Sequence, residues 1–146
     1  MKLPQTGGCL CGALRYEITE APQMVYTCHC TDCQRLTSSA FSMAIVVADG
    51  AFQLTRGEPR PQQKTADSGR VNTVWICPQC GSWICGAPTP GSVCACRPAR
   101  WTTLPGCGRR CISGPATNSP GVALPEGNQS FATQPADLQG FLSSTR

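Results

Sequence analysis

Short runs in which apolar residues alternate with polar ones, broken by glycine and proline, fill the first 87 positions. Each run predicts a strand. In Ala13–Ile18 the residues Leu14, Tyr16 and Ile18 share one face, the pattern of a half-buried strand. Pro22 ends that element, and Met24–Thr27 predicts a second strand leading into Cys28. Asp32 is placed to cap a short helical turn through Leu36. Phe41–Val47 is a strand whose far end is apolar on both faces, followed by a turn at Asp49-Gly50 and a strand over Phe52–Thr55. Gly57–Pro61 is a turn and Gln62–Thr65 a polar edge strand. Val71–Ile76 then leads into Cys77, and a hairpin through Pro78-Gln79 returns as Ser82–Ile84. Short strands with turns at this rhythm give a mainly β fold of small antiparallel sheets.

The pattern changes near Pro88. From Val93 to Gly121 there is no Asp, Glu or Lys and no period of 2 or 3.6. Ordinary patterning resumes at Val122, and Pro135–Leu142 predicts a short C-terminal helical turn with proline at its first position. The length of 146 residues suits one domain. Fifteen glycines, 13 prolines and only 14% charged residues fit a turn-rich β protein. The net charge of +4 is mild and Arg109-Arg110 is the only adjacent basic pair, so no nucleic-acid footprint is expected. No apolar run reaches the 18 residues or so of a membrane span. Residues 1–8 show no apolar signal segment, and the expected location is the cytoplasm.

Twelve cysteines change this picture most. A cytoplasmic chain keeps thiols reduced, which favours metal ligands over bridges. Seven of them fall into three clusters: Cys9 and Cys11; Cys28, Cys30 and Cys33; Cys77 and Cys80. Thiolates two or three residues apart on a sharp turn chelate zinc, which takes sulfur at about 2.3 Å in a tetrahedron. In Cys77-Pro78-Gln79-Cys80-Gly81 the proline presets the turn and the glycine relieves its exit. That pair is half a site, and Cys9 with Cys11 can complete a closed four-sulfur shell. Cys28, Cys30 and Cys33 then form a three-ligand site with an open position, the arrangement of catalytic zinc. Its alternative is a second structural site completed by His29 or Cys85. A redox role for Cys30 and Cys33 lacks the expected βαβ surroundings. His29, the single histidine, is open to three roles: a fourth ligand, a base beside the metal, or an exposed side chain that strand alternation turns away. Trp75 and Trp83 are expected to pack around the hairpin, and Cys85 to be a spectator in a strand.

At these residues the sequence resembles the glutathione-dependent formaldehyde-activating enzyme (GFA) family, also called the CENP-V/GFA domain. The matching pieces are Gly8–Tyr16, Cys28–Arg35, Ser39–Phe41 and Cys77–Gly81. The resemblance implies a zinc-bound β-tent of small antiparallel sheets. It implies one structural zinc on Cys9, Cys11, Cys77 and Cys80, and a second zinc on Cys28, Cys30 and Cys33, the catalytic set. It further implies carbon–sulfur lyase activity on a glutathione–formaldehyde adduct or a related thiol compound. The expected partner is therefore a small thiol or aldehyde such as glutathione, with Arg15, Arg35 or Arg70 available to its carboxylates. The competing readings are a non-catalytic zinc-ribbon-like binding module and a secreted disulfide scaffold.

The likeness lapses after the hairpin. Family members carry Ala-Gly-Thr-Leu-Asp-Asp and later His-Ile-Trp-Thr-Arg there. Arg97–Thr103 can be encoded by codons that, read from their third base, spell the first, and Cys111–Ala116 can be encoded so that the same offset spells the second. The expected organisation is thus a zinc-binding domain over 1–93, an out-of-frame segment over 94–121 and a family-like tail over 122–146. On that reading Cys94, Cys96, Cys107 and Cys111 are not ligands, the segment packs poorly and the activity is impaired.

Overall fold

The computed structural model describes residues 2–66, 69–87, 94–96, 110–114, 117–124, 126–127 and 129–132. The expected turn over 135–142 lies outside them. The chain divides into two compact units: Met1–Pro22 with Ile45–Gly106, and Gln23–Ala44 with Cys107–Arg146. Each unit joins segments far apart in sequence, a pairing that local patterns do not show. Among the described residues no helix is long and apolar enough to cross a membrane.

In the first unit, β1 (Gln5–Gly8), β2 (Arg15–Ile18) and β5 (Phe52–Arg56) form an antiparallel sheet in the order β1-β2-β5. The alternation in β2 behaves as expected, burying Leu14, Tyr16 and Ile18 together. Tyr16 stacks on Phe52 with ring centroids 4.9 Å apart. A second antiparallel ladder runs through β6 (Arg60–Thr65), β7 (Val71–Ile76), β8 (Trp83–Ala87) and β9 (Cys94–Cys96). β6 is exposed throughout, the polar edge strand of the sequence reading, and it holds Pro61 where a missing N–H costs least. The far end of β4 (Ser42–Val47) pairs with β9. Ile45, Val46 and Val47 are fully buried there, as a strand apolar on both faces requires.

In the second unit, β3 (Met24–Cys28) leads into α1 (Thr31–Thr37). β10 (Arg110–Ser113) runs parallel to both β3 and β11 (Gln129–Phe131), the exception to the antiparallel rule. Asp32 does not cap α1. Cys30 is the N-cap, with extended backbone, and Asp32 sits in the first turn. Cys30 wins because its sulfur, a better-placed acceptor, receives the Cys33 N–H at 3.4 Å. β9 and β10 both lie in the 94–121 segment, where no period was visible in the sequence.

Candidate metal centres

Two turns of the first unit bring four cysteines together. Cys9 and Cys11 occupy the turn between β1 and β2, and Cys77 and Cys80 the turn between β7 and β8. Their four sulfurs lie within 4.8 Å of one another. Cys9 Sγ is 3.5 Å from Cys11 Sγ, and Cys11 Sγ is 3.8 Å from Cys77 Sγ. Thiolates at about 2.3 Å from a central ion stand about 3.8 Å apart at the corners of a tetrahedron. The observed spacing suits a shared ion and excludes a disulfide, whose sulfurs sit ~2.05 Å apart. All four are free thiols.

Backbone bonds shape both turns. Gly12 N–H donates to Cys9 O at 3.2 Å, and Gly81 N–H to Cys77 O at 2.9 Å. Gly81 takes φ of +71°, a conformation that side chains resist. The Leu10 N–H donates to Ser82 Oγ at 3.1 Å and so ties one turn to the other.

The surroundings favour ionised sulfur at two of the four positions. Burial pushes the Cys9 thiol up, but the Leu14 N–H, 3.2 Å from its sulfur, and the Cys11 and Cys77 side chains outweigh it and leave it lowered. The Ser82 hydroxyl, 3.2 Å from Cys80 Sγ, and then backbone bonds bring Cys80 down to about 5. The Ala13 backbone lowers Cys11, but proton sharing with Cys9 and burial prevail and leave it raised to about 11.

The second unit gathers Cys28, Cys30 and Cys33, again with sulfurs within 4.8 Å of one another. β3 delivers Cys28 and the start of α1 holds the other two. Cys28 Sγ donates to Cys30 Sγ at 3.5 Å. Hydrogen bonds from Cys28 and Cys33 pull the Cys30 thiol far down, and the same bond to Cys30 pushes Cys28 far up. Bonding within the trio thus favours thiolate at Cys30, the form in which sulfur binds a divalent cation. All three are half-buried, and among the described residues no fourth His, Cys, Asp or Glu joins them. The thiolate donor set of each cluster suits zinc.

His29 is neither exposed nor part of this group. It is 2% exposed, its ring centroid lies 5.0 Å from that of Phe41, and its buried Nδ1 has no hydrogen-bond partner among the described residues. It stands just past the end of β3 and is turned into packing rather than solvent. Cys85 is buried in β8 and belongs to neither cluster. Trp75 and Trp83 are half-buried, and Trp83 Nε1 donates to Cys85 O at 3.0 Å. Cys107 and the side chains of Cys94, Cys96 and Cys111 lie outside the described residues. Arg15 donates to the carbonyls of Cys9 and Leu14, whereas Arg35 and Arg70 are exposed. Ser82 had no signal of its own in the sequence beyond following the Cys77–Gly81 turn.

These features define a small β protein whose turns present sulfur clusters suited to metal ions. The model of the glutathione-dependent formaldehyde-activating enzyme family matches residues 4–102, and the chain belongs to that family. A crystal structure of a Rhodobacter sphaeroides protein, a structural-genomics target, superposes with a TM-score of 0.52 at 17% identity, covering 75% of this chain and 100% of that one. That likeness is one of fold. No curated protein matches the sequence.

Proposed function

We propose that the chain is a zinc-dependent carbon–sulfur lyase acting on a glutathione–formaldehyde adduct or a related thiol–aldehyde compound. The observation that carries this reading is the contrast between four sulfurs in one cluster and three half-buried sulfurs in the other. Cys9, Cys11, Cys77 and Cys80 would hold a closed structural ion. Cys28, Cys30 and Cys33 would hold a second ion with one position left for a reactant. Such an ion supplies a Lewis acid that accepts a thiolate or polarises an aldehyde oxygen. The chain's own part is to keep Cys30 ionised, through Cys28, Cys33 and the Cys33 N–H, and to fix the three sulfurs on β3 and α1. In the lyase direction the carbon–sulfur bond breaks with its electron pair going to sulfur. The hydroxyl oxygen becomes the aldehyde oxygen, and its proton ends on the thiol. The surplus of free thiols fits a reducing compartment, and we place the protein in the cytoplasm.

Exchange between formaldehyde, glutathione and their adduct, followed by NMR with zinc-loaded protein, tests the reading. Exchange faster than the uncatalysed rate, lost in Cys33→Ala, is expected. A protein that holds two zinc ions yet leaves the rate unchanged would be a non-catalytic zinc module instead.

A further inference from the structure

The peptide between Cys28 and Cys30 is gripped from a distant part of the chain. The His29 carbonyl accepts two bonds, one from Gln34 Nε2 at 2.6 Å and one from Thr117 Oγ1 at 2.7 Å. Gln34 Nε2 also donates to Thr117 O at 2.7 Å, so the two side chains and the carbonyl close a ring of contacts. Gly114 holds Thr117 in place, accepting its N–H at 3.2 Å with the Thr117 hydroxyl 3.0 Å away. Gly114 itself follows β10, whose Ser113 pairs with Cys28, and takes φ of +71°. A Cβ at Gly114 would stand 3.1 Å from the Cys30 nitrogen.

From this geometry we infer that Thr117 is a positioning residue for the three-cysteine centre. With Gln34 it pins the carbonyl that lies between two of the three sulfurs, 88 residues away along the chain. Neither side chain offers sulfur or touches a ligand atom. Their effect runs through the backbone: with the His29 carbonyl fixed, Cys28 and Cys30 keep the 3.5 Å sulfur spacing that an ion needs. Outer partners that orient ligands in this way typically contribute about 10–100-fold in metal affinity. The inference rests on the reading that Cys28, Cys30 and Cys33 bind a metal, and on no assumption about the reaction.

Cobalt(II) titration of the full chain is the test, because thiolate–cobalt bands report ligand geometry as well as occupancy. Thr117 is exposed, so Thr117→Val removes its hydroxyl with little disturbance to packing. That variant should bind cobalt at the three-cysteine centre about tenfold more weakly, with altered bands. The four-cysteine centre of the same molecule should be unchanged. Thr117→Ser should restore both affinity and spectrum, and Gln34→Met should repeat the loss from the other side of the ring. Wild-type affinity and bands in Thr117→Val, or equal weakening at both centres, would overturn the inference while leaving the metal reading intact. A wild-type chain that takes up no cobalt at Cys28, Cys30 and Cys33 would overturn both.

Discussion

At Cys80 the Ser82 hydroxyl is the first of several bonds that favour thiolate. Ser82 is the leading cause that brings this thiol from an ordinary 9.0 to about 5. A group lowered in the folded state contributes while the pH is above its unfolded value, and its contribution is lost as the pH falls through the folded one. Protons compete with metal for thiolates, so a thiol that is harder to ionise gives up its ion at higher pH. Ser82→Ala should therefore shift zinc loss to higher pH, seen by titrating zinc-loaded protein with acid in the presence of a chromogenic chelator. A midpoint that stays put or moves down would contradict the role given to Ser82. The Cys-x-x-Cys turn was legible because proline, glycine and two sulfurs act locally. Ser82 and Thr117 were not, since nothing in a lone hydroxyl residue announces which sulfur or carbonyl it will meet.

Among the elements, α1 shows how local chemistry and strain meet. It spans seven residues, Thr31–Thr37, and is capped by Cys30 and by Ser38, whose φ of 49° lies in the left-handed region. A left-handed non-glycine residue costs about 1–2 kcal/mol, part of which glycine recovers. Ser38→Gly should raise stability by up to about 1 kcal/mol, read from chemical denaturation of zinc-loaded protein. A loss of stability would mean that the serine side chain contributes more than the strain removes. Strands with alternating or doubly apolar runs, β2 and β4, were legible because one or both faces are buried. β1 was hidden: Gly7 and Gly8 have no side chain to alternate, and Gly7 is required because Tyr16 lies opposite, 2.3 Å from where a Cβ would stand. β9, β10 and β11 were hidden too, since three or four residues that pair with distant strands carry no period of their own.

For the molecule, the two cysteine clusters belong to different units, so each ion would brace a separate set of strands. Structural zinc in small domains contributes about 10–16 kcal/mol of apparent binding energy, as much as a domain's whole stability. The four-sulfur ion would join turns whose cysteines lie 66 residues apart, Cys11 to Cys77. The three-sulfur ion would close only the short stretch from Cys28 to Cys33. Loss of the first should therefore cost the fold far more than loss of the second. The cysteine pairs and the trio were legible in the sequence, since the spacing within each is local. The division into two units was not, because it depends on segments such as 23–44 and 107–146 meeting across the chain.

Zinc counted per chain by native mass spectrometry, together with a thermal melt, bears most directly on these clusters. The wild-type chain should carry two ions. Cys33→Ala should carry one and still melt cooperatively, whereas Cys80→Ala should lose the cooperative transition. A wild-type chain with one ion or none, or a Cys33→Ala chain that keeps two, would contradict the assignment of one closed and one open centre.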